Sequence, residues 1–243
     1  MTYHWSWTFF FDVADDGERY WQWILSGLGW TVTVALCALV IALLLGSLLG
    51  VIRTTPSRLL VASGDAYVEL FRNIPLIVQL FLWYQVFPEV LPKAAGDWVK
   101  QDLPDVVPAV FGLGLYTAAR IAEQVKSGIL ALPRGQTHAG LAMGLTLAQV
   151  YRYVLLPMAY RIILPTLTSE SMNVFKNSSV TYAVGVLELY FQYRQIIEKT
   201  NQVLEITIVV TAIYFILAFS VNRIMAFIEK RVRVPGYIIG GAR

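Results

Sequence analysis

Long apolar runs recur along the chain and predict five membrane-crossing helices. About 20 apolar residues suffice to cross a bilayer as a helix. The predicted spans cover residues 27–52, 66–88, 106–131, 163–187 and 203–228. The apolar part of the second, IPLIVQLFLWYQVF, is too short alone, so this helix is predicted to begin earlier and to contain Glu69 and Arg72. The pattern predicts an all-α integral membrane protein.

The first 23 residues carry no apolar run of that length but are rich in tryptophan. Five of the seven tryptophans are Trp5, Trp7, Trp21, Trp23 and Trp30. Tryptophan favours the boundary between membrane and water. The first charged residues are acidic, whereas a signal peptide begins with a basic region. We therefore predict that residues 1–23 lie at the membrane interface before the first span.

Lysine and arginine alternate between sparse and dense loops, which predicts the orientation. Five of the 19 lie in the N-terminal segment and in the loops at 89–105 and 188–205, whereas twelve lie at 53–65, 120–161 and the C-terminus. Loops rich in lysine and arginine stay in the cytoplasm. The N-terminus is predicted outside and the C-terminus inside. The basic end, EKRVRVPG, is expected to contact anionic lipid head groups.

Composition narrows the function classes. The chain is 57% hydrophobic and 14% charged, and its mean hydropathy is +0.59. The net charge of +3 is too small to indicate a nucleic-acid partner. No phosphate-binding glycine motif, metal-ligand spacing or nucleophile–base arrangement is present. Neither an enzyme nor a bound cofactor is expected, and the single Cys37 excludes a disulfide within the chain.

A short helical pair is predicted on the cytoplasmic side. Small residues at 135–143 favour a thin helix, and Gly144 stands where a left-handed helix end is needed. Thr146 and Gln149 have the spacing of a capping box that starts a second helix, which Pro157 is predicted to stop. On spacing alone, this stretch is equally an amphipathic connector or a segment that fits a groove on another protein.

Polar residues inside predicted spans are the second candidate feature, because charge at the bilayer centre is costly. In the fourth span they fall on one helical stripe, formed by Thr166, Glu170, Asn173, Asn177 and Thr181 with Lys176 on its flank. This stripe lines a substrate path or a seam between permeases, or else only holds helices together. Glu69 and Arg72 have the spacing of an ion pair on one helix face. They form a structural pair at the inner interface or line a gate.

Three segments resemble one family of transport proteins. The stretch LPRGQTHAGLAMGLTLAQVYRYVLLPMAYRIILP resembles the cytoplasmic EAA loop of ABC-importer permeases for polar amino acids. His138, Ala139 and Gly140 stand at the E-A-A position, so histidine replaces glutamate and glycine replaces the second alanine. Gly144 matches the family glycine, and 155–157 the closing element. YVELFRNIPLIVQLFLWY and SESMNVFKNSSV are similar to the glutamate/aspartate group, and the resemblance covers residues 24–232.

The resemblance implies a type I ABC-importer permease fold with a cytoplasmic coupling helix in a bacterial inner membrane. A transmembrane domain at 24–232 and a cytoplasmic tail at 233–243 follow. The implied partners are a cytoplasmic ABC ATPase dimer, a periplasmic amino-acid-binding protein and a second permease, either a homologue or a copy of this chain. The residues implied to couple to the ATPase are His138, Ala139, Gly140, Gly144, Leu145, Thr146, Gln149 and Pro157.

An acidic amino acid is the implied substrate. The candidate path residues are Glu69, Arg72, Glu170, Asn173, Lys176, Asn177 and Thr181. Three alternatives stay open: a permease for another polar or basic amino acid, a stand-alone secondary transporter or channel, and an assembly subunit without a path. The capped cytoplasmic helix pair favours the ABC permease over the stand-alone carrier. The polar fourth span argues against an assembly subunit.

Overall fold

The computed structural model describes residues 4–232, which are helical apart from short connections and one isolated bridge between Val13 and Arg19. The α-helices are α1 Tyr20–Ile52, α2 Arg58–Asn73, α3 Leu76–Phe81, α4 Phe87–Val90, α5 Lys93–Gln101, α6 Val106–Leu130, α7 Arg134–Ala142, α8 Leu147–Val150, α9 Leu156–Asn177, α10 Leu189–Thr200 and α11 Val203–Val232. Short 3₁₀ turns occupy Thr8–Phe11 and Ser178–Val184, and π turns occupy Leu82–Val86 and Tyr151–Leu155. The all-α prediction is confirmed. The predicted tail at 233–243 lies outside the described residues.

Three of the described helices, α1, α6 and α11, are long and apolar enough to cross a membrane. They correspond to the first, third and fifth predicted spans. A fourth is present if α2 and the helical segment Leu76–Val90 count as one bent span. Helix α9 is not among them, since Arg161, Glu170 and Lys176 make it too polar. The count of five spans and the orientation of the termini therefore stay predictions.

The second predicted span is broken. Helix α2 ends at Asn73, Ile74 and Pro75 are extended with ψ near 129° and 141°, and α3 begins at Leu76. Proline disfavours helical backbone in the residue before it and provides no N–H for the preceding turn. A continuous helix through 66–88 was therefore the wrong prediction, although α2 does contain Glu69 and Arg72.

Two other prolines each follow a π turn, and the helical backbone continues through them. Phe87 donates its N–H to Leu82, and Leu156 donates its N–H to Tyr151, in each case five residues back. The proline comes next in both sequences, at Pro88 and Pro157. A π turn widens the helix by one residue and so accommodates a residue that has no N–H. Pro157 was predicted to stop the second cytoplasmic helix, and this was wrong: helical backbone continues through it into α9.

The described chain divides into two compact units. The first comprises residues 4–39, 75–114 and 173–219, and it buries Phe9, Ala14, Tyr20, Trp23, Ile24, Leu189, Ile196, Ile206 and Val210 in one cluster. The N-terminal segment is tied to this cluster. The backbone N–H of Ser6 donates to the fully buried Glu205 at 2.7 Å, and Lys199 pairs with Asp15.

The second unit comprises residues 40–74, 115–172 and 220–232. Its helices approach closely at glycines. A Cβ on Gly46 would lie 2.8 Å from the carbonyl of Ala118, and one on Gly50 would lie 2.6 Å from Val125. These contacts bring α1 against α6 with backbones almost touching, which is how membrane helices gain van der Waals contact.

Candidate functional site

The turn after α7 is a complete Schellman motif. Gly144, with φ +82°, donates its N–H to Leu141 at 3.0 Å. Leu145 donates to Gly140 at 3.1 Å, which closes the longer of the two loops. The left-handed conformation at Gly144 is the one glycine adopts without steric cost. The predicted helix at 135–143 and its glycine end are confirmed, with α7 at Arg134–Ala142.

The helix that follows begins with the predicted capping box. Gln149 Oε1 accepts from the Thr146 N–H at 2.7 Å, and Thr146 Oγ1 accepts from the Gln149 N–H at 3.3 Å. One residue after α8, the Tyr151 hydroxyl donates to the carbonyl of Thr54 at 2.8 Å. This bond joins the second helix of the pair to the segment just after α1.

Most of α7 is exposed, and Gly140 is the one buried residue of this helix. His138, Ala139 and Leu141 are exposed, and Met143 is 74% exposed. Gly140 is buried because α7 lies against Val150, and a Cβ at Gly140 would stand 2.9 Å from Val150 Cγ2. This contact gives a physical reason for glycine at the position of the family's second alanine. His138 faces solvent, so the structure contains no role for its side chain within this unit.

In the same unit, a cluster of charges ties α2 and α6 to Arg53, the residue directly after α1. Arg53 Nε lies 2.6 Å from Asp65 Oδ1, and Arg53 Nη1 lies 2.7 Å from Glu123 Oε2. Lys126 reaches Asp65 at 3.3 Å, and Arg72 reaches Glu123 at 3.6 Å. Arg72 thus pairs with α6 rather than with Glu69, so the predicted Glu69–Arg72 pair was wrong. Side-chain pairs across helices are set by packing, which spacing along one helix does not reveal.

The polar residues of the predicted fourth span are not equivalent. Glu170 is buried and Thr181 is fully buried, with the Thr181 hydroxyl donating to the carbonyl of Ser178 at 2.6 Å. Helix α9 ends at Asn177, so the helical spacing that put Thr181 on the stripe does not extend to it. Lys176 is exposed, and its side chain makes no hydrogen bond or ion pair within residues 4–232.

Glu170 pairs with a residue that the candidate path residues did not include. Arg120 Nε donates to Glu170 Oε1 at 2.7 Å. The guanidinium also lies over the ring of Tyr116, 5.9 Å from its centroid. Arg120 was counted among the inner-side charges, yet it lies well inside α6, ten residues before the end of that helix. The sequence signal for this pair was one arginine within the third predicted span and one glutamate within the fourth.

A second buried carboxylate caps α10 in the first unit. Glu188 accepts from the N–H groups of Tyr190 and Phe191 at 2.9 and 2.8 Å. It also accepts from the Tyr214 hydroxyl at 2.9 Å and the Thr31 hydroxyl at 3.4 Å. Burial raises the pKa of Glu188 to about 7, against the opposing effect of these four donors. The sequence analysis assigned no role to this residue.

Comparison with known proteins decides the family. A family model described as the inner membrane component of binding-protein-dependent transport systems matches residues 42–234. The chain belongs to this family. It is therefore a permease subunit of an ABC importer in the inner membrane, and not an enzyme, as the sequence predicted.

Curated relatives of this permease include two that carry the same substrate in their names. The glutamate/aspartate import permease GltJ of Escherichia coli O6:H1 is 44% identical over 245 residues, covering 99% of this chain and all of the relative. The glutamate/aspartate import permease GltK of the same organism is 28% identical over 209 residues, covering 86% and 93%. A crystal structure of an amino acid ABC transporter with histidines matches with a TM-score of 0.74 at 28% identity, covering 87% of this chain and 95% of that one.

Proposed function

We propose that this permease carries glutamate and aspartate. The observation that supports it most strongly is the 44% identity to GltJ over the full length of both chains. The charged groups inside α6 and α9 are consistent with a charged substrate, because lipid-facing helices exclude them. A neutral polar or a basic amino acid is the competing substrate.

We also infer that the exposed face of the α7–α8 pair, formed by His138, Ala139, Leu141 and Met143, docks in a cleft of a cytoplasmic ATPase subunit. A cytoplasmic helix with this much exposed apolar surface is suited to a partner. The Tyr151–Thr54 bond and the Gly140–Val150 contact would then transmit movement of the pair to the membrane helices. Leu145, Thr146, Gln149 and Pro157 shape the pair rather than contact the ATPase.

The second permease is proposed to be a GltK-like chain rather than a copy of this one. Escherichia coli O6:H1 has both GltJ and GltK, with the same substrate name, and this chain is much more similar to one than to the other. A periplasmic amino-acid-binding protein completes the proposed importer, which is in keeping with a family whose transport depends on a binding protein.

Purification of the tagged chain from its native membrane, followed by mass identification of what accompanies it, tests the assembly. A GltK-like permease and an ATPase are expected, and recovery of this permease with the ATPase alone would contradict the heterodimer. Uptake of labelled aspartate by the purified importer in liposomes, with a binding protein and ATP, tests the substrate. Uptake of glutamine or arginine without aspartate or glutamate would overturn the acidic assignment.

A further inference from the structure

Arg120 combines features that a purely structural arginine does not need. It lies inside a helix apolar enough to cross a membrane, yet 41% of its side chain is exposed. A guanidinium at such a position is not expected to face lipid, because its desolvation is costly. Its exposed edge must therefore face water, a ligand or another protein chain.

Glu170 holds this guanidinium from one side only. The Glu170 side chain is 5% exposed and accepts from Arg120 Nε, the guanidinium nitrogen nearest the aliphatic stem. Within residues 4–232, no other carboxylate lies within 4.0 Å of Arg120. Tyr116 also interacts with the guanidinium, through its ring and its hydroxyl oxygen, and restricts it further. The guanidinium is thus oriented, and the terminal N–H groups that Tyr116 does not occupy can serve a second carboxylate, for which a guanidinium offers paired donors.

The face of α6 around Arg120 is polar on both sides. Thr117 and Gln124 stand about one turn before and after it on the same helix face. The buried atoms Thr117 Oγ1 and Gln124 Oε1 have no hydrogen-bond partner among the described residues. Buried polar atoms are almost always partnered, so these two are places where a water molecule or a ligand can bind.

We propose that Arg120 binds a carboxylate of the transported amino acid and that Glu170 is the positioning residue that orients it. This rests on the proposed transport of acidic amino acids. Glu170 already neutralises the positive charge of Arg120. The carboxylate of a passing substrate therefore meets oriented N–H donors that carry no full unpaired positive charge. Such a site binds a dicarboxylic amino acid and still releases it.

Two substitutions separate ligand binding from a structural role. Arg120→Lys keeps the charge and the pairing with Glu170 but loses the planar fork. The double variant Arg120→Gln with Glu170→Gln removes both charges together, so that no buried carboxylate is left unpaired. Both should assemble with the partner subunits, and both should take up aspartate at least tenfold less efficiently, while ATP hydrolysis stimulated by the binding protein changes less than twofold. Lys100→Gln with Glu89→Gln, which removes a pair in the first unit, is the matched control and should transport normally.

The outcomes distinguish failure of the carboxylate site from failure of the proposed function. If the unaltered importer carries aspartate and both Arg120 variants carry it with normal efficiency, the carboxylate site is overturned while the proposed function stands. If the unaltered importer carries no acidic amino acid, the proposed function itself fails. Glu170→Gln alone frees the guanidinium from its counter-charge, so labelled aspartate should bind the purified complex more tightly. Unchanged binding in that variant would contradict the positioning role.

Discussion

At the residue scale, the α7–α8 pair depends on a close approach of Gly140 to Val150. Gly140→Ala would place a Cβ 2.9 Å from Val150 Cγ2, and Val150 is fully buried and stiff. We expect this variant to destabilise the pair by about 1–3 kcal/mol and to retain less ATPase on purification. Gly135→Ala is the control in the same helix, since its Cβ meets nothing within 4 Å. Equal ATPase recovery by the two variants would refute the packing argument.

Substitution of Gly144 tests the backbone conformation rather than a steric clash of the side chain. A Cβ there also meets nothing within 4 Å, but φ is +82°. A β-branched residue is strained at that angle by at least about 1–2 kcal/mol, whereas asparagine tolerates it. Gly144→Val should therefore insert normally but lose ATP-driven uptake, and Gly144→Asn should keep most of it. Normal uptake by the valine variant would remove Gly144 from the coupling role.

At the element scale, the start of α10 is expected to respond to pH through Glu188. The folded protein keeps the Glu188 proton up to a pKa of about 7, whereas the unfolded chain loses it near the ordinary value of 4.5. The free energy of unfolding should therefore fall as pH rises between those values, by up to about 3 kcal/mol. Glu188→Gln lacks this contribution. Thermal melting of the purified complex from pH 5 to 8 compares the two, and parallel curves would show that Glu188 does not titrate in this range.

Helix ends that are set by local hydrogen bonds could be predicted from the sequence. Whether a proline ends a helix or lies within one could not. The capping box at Thr146 and the left-handed Gly144 involve residues within a few positions of one another, so the sequence alone identifies them. Pro75 ends a helix, but Pro157 lies within one. A π turn precedes Pro157, whereas Pro165 lies inside the same helix α9 without one. No motif in the sequence distinguishes these backbones in advance.

At the scale of the whole molecule, orientation is the prediction to test. Cysteine probes at Asp97 and His138 report the two predicted sides, after the native Cys37, which is exposed, is replaced by alanine. We expect a membrane-impermeant reagent to label position 97 in intact cells and position 138 only after the membrane is opened. The opposite pattern would invert every loop assignment made from lysine and arginine.

Hydrophobic runs predicted the helical membrane fold, and the resemblance of three segments predicted the family, because both are properties of continuous segments. The Arg120–Glu170 pair joins residues 50 positions apart, and Arg53 joins residues 12 and 70 positions away. Such partners depend on how helices pack. Thus Glu170 could be selected as a candidate from the sequence, but its partner Arg120 could not.

The π turn at Tyr151–Leu155 also sets the rotation of helix α9 about its own axis. One added residue rotates everything after it by about 100° relative to an uninterrupted α-helix. A single extra residue thus fixes the angle between the α7–α8 pair and the face that α9 turns toward Arg120. Removal of the exposed Tyr153 would leave both segments helical and the composition almost unchanged, yet would swing Glu170 about a quarter-turn from its partner. In this stretch, chain length carries information that side-chain identity does not.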